Sequence, residues 1–343
     1  MRKLLNTLYV NTPDCYLALQ QENVCVLHEE ETLMRVPLLN LEGIMTFGYT
    51  GASPALMHAC AERGIALSFM TPSGQFLAGV HGEVRGNITL RKQQYRISTD
   101  EAQSALYARN FIFGKLYNAK WILERAARDY PLRLDAEKLK AAAAGIAGSF
   151  GEVTACEDLG ILRGIEGKAA TLYFGEFDSL ILQNRDKFHF EVRSRRPPTD
   201  PVNAMLSFAY ALLARDCQAA LTAVGLDAYA GFLHRDRPGR ASLALDLMEE
   251  LRGVMADRFV LTQINLRGVS PSDFTKAASG AVSLKDDARK AFLSAWQNRK
   301  QETLTHPFLG EKLEWGLVPH AQALLLARAI RGDLDAYPPF LWK

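Results

Sequence analysis

Short runs of apolar or alternating residues dominate the first part of the chain, and then the period changes. Thr7–Val10, Cys15–Leu19, Val24–Leu27, Leu33–Val36 and Gly43–Phe47 are each four or five residues long. Turn-forming stretches such as Asn11-Thr12-Pro13-Asp14 and Gln21-Glu22-Asn23 separate them, which predicts strands. One helix is predicted from Ser53 to Arg63, with Ser53 as its cap, Pro54 in its first turn and Gly64 as its stop. Ile65–Phe69 and Gln75–Val80 add two strands around the turn at Thr71–Gly74.

Near residue 98 the spacing becomes helical. Ser98-Thr99-Asp100-Glu101 reads as a capping box, and Leu106, Phe113, Leu116 and Leu123 recur at helical intervals up to about Asp129. Helical patterns continue over Leu139–Ala147, Leu159–Phe177, Asn203–Ala223, Ser242–Phe259, Asp286–Gln301 and His320–Ile330. Everything beyond 98 reads as helix, up to a stiff tail at Tyr337–Lys343. The expected fold is α+β: a small N-terminal β-sheet domain, 1–95, followed by a larger all-α domain, 98–343. A hinge is expected between about 90 and 100.

Composition narrows the class. A chain of 343 residues is long enough for roughly two domains. With 48% hydrophobic and 23% charged residues it is globular, which excludes disorder. No apolar run reaches membrane-spanning length, and the start lacks a signal-peptide pattern, so a cytoplasmic protein is expected. Five cysteines without CxxC spacing predict mostly buried free thiols rather than a disulfide framework or a zinc knuckle. The net charge of +2 says little about partners, so any polyanion site must be local. Two basic clusters qualify. Residues 185–196 hold Arg185, Lys187, Arg193, Arg195 and Arg196 with His189, Phe188 and Phe190 interleaved, and Arg235, Arg237 and Arg240 follow later.

The common nucleotide, P-loop, nucleophile-elbow and HExxH motifs are missing. What remains is polar residues inside apolar segments. Glu166 lies between Gly164 and Gly167, which cost helix propensity and suggest close approach of a backbone or ligand. His234 follows an apolar triplet and precedes a Pro-Gly turn. Asp246, Glu249 and Glu250 sit on the helix that follows Ser242, a candidate cap. Like charges at this spacing repel, which a metal ion would relieve; the plainer alternative is a solvated acidic stripe. The stripe Leu243, Leu247, Leu251 must face the core, and this leaves either Asp246–Glu249 or Asp246–Glu250 as the working pair. Two or three carboxylates plus one imidazole suit Mg2+ or Mn2+. With a basic stretch at 185–196 to hold a polyanion, the residues point to metal-dependent phosphodiester chemistry on nucleic acid.

The same segments carry a resemblance. Asn87-x2-Leu90-Arg91-x2-Gln94-Tyr95, Leu162–Gly167, Arg195-Arg196-Pro197-Pro198 with Asn203-x3-Ser207-x2-Tyr210, Gly231–His234 and Ser242–Glu250 occur in this order. As an ordered set spanning essentially the whole chain, they resemble the CRISPR-associated integrase or endonuclease family Cas-one, closest to its type I-C branch. The resemblance implies a β domain before a helical one, and a homodimer joined to the small partner Cas-two. It implies capture of short DNA fragments and their insertion into the CRISPR array, by attack of a 3′-hydroxyl on a phosphodiester. Carried over by motif, Glu166, His234 and Glu249 match the metal ligands, with Glu where some members have Asp, and Asp246 matches the accompanying acid. Asn203 and Tyr210 match residues near the site, and Glu250 is left without a role. The tail matches no motif. Two other readings stay open: a metal-dependent nuclease on branched DNA or RNA, and a non-catalytic DNA-binding scaffold.

Overall fold

The structure, a computed structural model, describes residues 6–29, 31–48, 50–72, 76–80, 82 and 88–343. The chain forms two compact units. One is Met1–Arg85 with Lys285–Glu302, and the other is Gly86–Leu284 with Thr303–Lys343. A single boundary near 95–98 therefore does not describe the chain. The helix that ends at Thr99 belongs to the second unit, and a helix from far along the sequence belongs to the first.

The first unit carries eight strands: β1 (Thr7–Val10), β2 (Cys15–Gln20), β3 (Asn23–His28), β4 (Glu31–Pro37), β5 (Gly43–Phe47), β6 (Gly51–Ala52), β7 (Ala66–Met70) and β8 (Phe76–Val80). They form two four-stranded sheets, in the orders β1-β5-β7-β8 and β4-β3-β2-β6. β1, β5 and β7 are parallel, so a crossover must join β5 to β7, and α1 (Pro54–Arg63) lies within it. Ser53 caps α1 by accepting from the Leu56 amide, and Gly64 closes it in the left-handed conformation at φ 68°. Period-two burial shows in β2, where Cys15 and Leu17 are buried and Tyr16 is exposed. Leu17, Val24, Ile44, Leu56 and Leu67 meet in one core. Part of the turn expected at Thr71–Gly74 lies outside the described residues.

The second unit opens with α2 (Ile88–Thr99) and α3 (Glu101–Asp129). The expected capping box is replaced by a single cap: Asp100 accepts from Gln103 N, while Ser98 and Thr99 end α2. There follow α4 (Ala136–Ala147), α5 (Phe150–Ala155), α6 (Leu159–Gly175), α7 (Pro201–Ala223) and α8 (Ser242–Leu251), then a π-helical turn over Arg252–Asp257 and α9 (Arg258–Asn265). Two short ladders break the expected all-helical pattern: β9 (Phe274–Lys276) with β10 (Val282–Leu284), and β11 (Thr303–Thr305) with β12 (Lys312–Glu314). Between them, α10 (Asp286–Gln301) returns to the first unit, where Arg289 donates to Asn11 Oδ1 and Pro72 O. α11 (Val318–Arg331) leads into the tail.

α3 packs against α8 at a point where only glycine fits. A Cβ on Gly114 would stand 2.8 Å from Glu250 Cβ. Among the described residues, no helix is long and apolar enough to cross a membrane.

Candidate functional site

The site is built on the second unit, by α3, α6, α8 and the loop after Ala230. α6 begins on Asp158, which accepts from Ile161 N. It then places Arg163 and Glu166 three residues apart on one face. Arg163 donates to Leu233 O at 2.6 Å, so the same helix that carries Glu166 also holds the His234 loop. Gly231 permits that loop to lie on α8, since a Cβ there would stand 2.7 Å from Ser242 Cβ. Ser242 itself starts α8 without a side-chain cap and instead donates to Arg235 O. Gly164 and Gly167 would place a Cβ in open space, so they admit no other part of this chain; they leave the surface beside Glu166 clear.

The three acidic residues of α8 are all buried, which rules out a solvated stripe, and each does something different. Asp246, fully buried, is saturated: Phe232 N and Leu233 N donate to one oxygen at 2.6 and 3.0 Å, and His234 N reaches the other at 2.9 Å. His234 Nδ1 stands 2.7 Å from that second oxygen. A carboxylate can only accept, so the imidazole proton sits on Nδ1 and Nε2 keeps its lone pair. Asp246 therefore orients His234 and has no oxygen left over for a metal.

Glu249 faces the other way. Its Oε1 accepts from Arg252 at 2.7 Å and lies 4.0 Å from His234 Nε2. Its Oε2 is buried, with the Lys115 ammonium against it at 2.7 Å. Burial would raise this carboxyl, but the charges of Arg252 and Lys115 outweigh it and hold the pKa at about 2, so it is ionised. The ammonium of Lys115 also pairs with Glu166. Glu166 from α6, Glu249 from α8 and Lys115 from α3 thus meet, with His234 beside Glu249. Lys115 and Arg252 also line a small pocket, along with Tyr173 and Asp257.

Glu250 points into the tail. It accepts from Gln322, Tyr337 and the Phe340 amide, and burial pushes its pKa up to about 7. It is a strut that ties α8 to the C-terminus, which sequence reasoning left without a role.

Asn203, fully buried, accepts from Arg193 and Ser194 N and donates to Val192 O and Asp200, so it fixes the loop before α7. Tyr210 donates to Asp257 at 2.6 Å, and Arg252 sits 4.8 Å over its ring; that links it to Glu249 through one side chain.

The basic stretch is only partly a surface. Phe188 and Phe190 are buried against Phe274 and Phe174, so they are core residues and offer no stacking platform. Arg193 is spent on Asn203 and Ser207. Arg195, Arg196 and Arg237 are exposed, and no acidic partner is recorded for them among the described residues; Arg240 donates to Ser242 Oγ.

Asn87 of the first motif lies outside the described residues. The rest of that motif is on α2 and not at the end of the β domain. Gln94 donates to Asp227 O and Ala230 O, and Tyr95 donates to Asp227, so together they hold the loop that leads to His234.

Sequence reasoning missed Lys115, Arg252 and Asp257. The signal for Lys115 was a lone charge within Phe111–Tyr117. As the side chains stand, no group of three His, Cys, Asp or Glu among the described residues is gathered as metal ligands, because Glu166 and Glu249 converge on Lys115. The donor set still fits a hard divalent cation. Two carboxylates and one imidazole nitrogen are available, and the carboxylates of Glu166 and Glu249 already share one cation, the Lys115 ammonium.

A two-sheet β unit with a helical unit carrying a histidine–carboxylate cluster is the α+β architecture of the Cas1 fold. The chain belongs to the family described as CRISPR associated protein Cas1, whose model matches residues 8–298. It is 49% identical over the full length of both chains to a CRISPR-associated endonuclease Cas1 of Chlorobaculum tepidum. A Thermus thermophilus relative of the same description is 37% identical, covering 98% of this chain and 97% of its own. Among solved structures, a casposase bound to integration product superposes with TM-score 0.83 at 20% identity, over 98% of this chain and 94% of that one. A Cas1 protein from Thermotoga maritima gives TM-score 0.80, also at 20% identity, over 95% and 97%.

Proposed function

We propose that this chain is a metal-dependent DNA endonuclease and integrase of CRISPR adaptation, which inserts short DNA fragments into the CRISPR array. The observation that carries this reading is that Glu166 and Glu249, from two helices, converge on Lys115 while His234 Nε2 lies 4.0 Å from Glu249, with Asp246 orienting the imidazole. Glu166, Glu249 and His234 Nε2 would hold Mg2+ or Mn2+. Such an ion stabilises charge developing on a phosphodiester and lowers the pKa of an attacking hydroxyl.

In the proposed reaction a fragment's 3′-hydroxyl attacks the target phosphorus. One P–O bond forms and one breaks, and the departing oxygen leaves as a new 3′-hydroxyl. Asp246 keeps the proton on His234 Nδ1 throughout, and Arg252 keeps Glu249 ionised and in place. Arg195, Arg196 and Arg237 offer exposed charge for the DNA backbone.

The structural likeness to a Cas6-RT-Cas1–Cas2 complex supports a Cas2-like partner, and the homodimer is proposed from the family resemblance alone. The motif details favour the type I-C branch, and a cytoplasmic location agrees with a DNA substrate. The test is strand transfer of a labelled short duplex into a repeat-bearing plasmid, with the partner and Mn2+. Glu166→Ala and His234→Ala are expected to lose activity by about a hundredfold or more while staying folded. Full activity of either variant in excess Mn2+ contradicts the assignment.

A further inference from the structure

We infer that Lys115 is a tethered cation that competes with the divalent ion for Glu166 and Glu249, so that the metal must displace it to bind. This rests on the metal-site reading above.

Glu166, Asp246 and Glu249 bring three negative charges to the site, and Arg252 is already spent on Glu249 Oε1. Without Lys115, the Glu166 carboxylate and Glu249 Oε2 would face each other across a half-closed cluster, with no cation between them. Lys115 comes from a third helix, and its side chain is only 16% exposed, yet its ammonium reaches both groups. An ammonium has three donors and no acceptor, so it can serve two carboxylates at once. Its contact with Glu249 Oε2, at 2.7 Å, is a charge-assisted pair. Both carboxylates are thus served by one cation on a flexible stem, which a second cation can replace.

A divalent ion at the same oxygens would be repelled by the ammonium, so the two exclude each other. Lys115 also lines a small pocket with Arg252, Tyr173 and Asp257, on its own side of the cluster. The device would keep the carboxylate pair neutralised when no metal is bound, and it sets the metal concentration at which the site fills.

The test uses the full-length chain without DNA. Mn2+ is titrated by electron paramagnetic resonance, and the melting temperature is followed with and without Mn2+. Lys115→Met is expected to bind Mn2+ about tenfold tighter or more, to melt lower without metal, and to gain more from metal than the wild type does. Lys115→Arg, which keeps a cation, is expected to bind no tighter than wild type. Glu249→Gln is expected to abolish this binding in both the wild-type and the Lys115→Met backgrounds. Should Lys115→Met fail to fold, Mg2+ titration of the wild type is followed by NMR at the lysine side-chain nitrogens. One of them is expected to shift with saturation, and the shift to vanish in Lys115→Arg.

Unchanged affinity in Lys115→Met, with binding still lost in Glu249→Gln, overturns the competition and leaves the metal site standing. An unresponsive lysine signal at metal saturation overturns it in the same way. Binding that survives Glu249→Gln in both backgrounds places the metal elsewhere, and both readings fall.

Discussion

At the scale of single residues, neighbouring carboxylates have been given unlike tasks by what surrounds them. Asp246 accepts three backbone amides and stands against one imidazole N–H. Asp246→Asn puts an NH2 group where an acceptor is needed, so one donor must face another. Strand transfer is expected to fall about 10–100-fold, the range for a side chain that orients a metal-ligating histidine. An unchanged rate would show that His234 needs no such partner. Asp257 offers a test by pH. Burial raises its carboxyl to about 6, against hydroxyls from Tyr210 and Tyr173 and the charge of Arg252. The folded chain therefore takes up this proton at higher pH than the unfolded one. Its contribution to stability grows as pH falls from about 6 towards 4 and is absent above that window. Comparing melting temperatures at pH 4.5 and 7, Asp257→Asn is expected to lose part of the wild type's gain on acidification. Equal slopes would mean that Asp257 is ionised across the whole window.

Between elements, the site depends on how closely α8 is held, and glycine marks the contact. Gly114→Ala would set a methyl 2.8 Å from Glu250 Cβ and 3.1 Å from Pro339 Cβ, neither of which is the free end of a long side chain. Overpacking of this kind costs about 1–3 kcal/mol, more than the ~1 kcal/mol of helix propensity that alanine returns. A lower melting temperature is expected, and an unchanged or higher one would mean that α3 and α8 can separate freely.

Much of this level was legible in the sequence. Alternation in Cys15–Leu19 and helical spacing after Leu106 describe elements long enough to show a period. The ladders Phe274–Lys276 with Val282–Leu284 and Thr303–Thr305 with Lys312–Glu314 are three residues a side, too short to show one. Helix Asp286–Gln301 was legible as a helix. Its place with the β unit was not, because that rests on Arg289 meeting Asn11, far away in sequence. Phe188 and Phe190 read as part of a basic surface stretch because interleaved charge hides an inward alternation. The ligand candidates were visible because Glu166 and His234 interrupt apolar runs. Lys115 was not, since only folding brings α3 against α6 and α8.

For the whole molecule, near-neutral charge means that the proposed DNA affinity must come from a few exposed cations. Arg195, Arg196 and Arg237 are the exposed members of the two clusters, whereas Arg193 is turned inward. Arg195→Ala with Arg196→Ala is expected to weaken binding to any duplex and to flatten the dependence of log affinity on log salt by about two contacts' worth. Measured by fluorescence anisotropy, an unchanged slope would assign these arginines to the solvent. Arg193→Ala is expected to act through stability instead, by freeing Asn203 and the loop before α7.

The central claim is that Glu166, His234 and Glu249 form one working site, with the next residue along α8 turned to a different task. Strand transfer per folded molecule, compared between Glu249→Gln and Glu250→Gln, tests it most directly. Glu249→Gln is expected to fold and to lose about a hundredfold or more of its activity. Glu250→Gln is expected to melt lower, by about 1–2 kcal/mol of lost bonding to the tail, and to stay active below its melting temperature. A folded Glu250→Gln without activity beside an active Glu249→Gln would contradict the account.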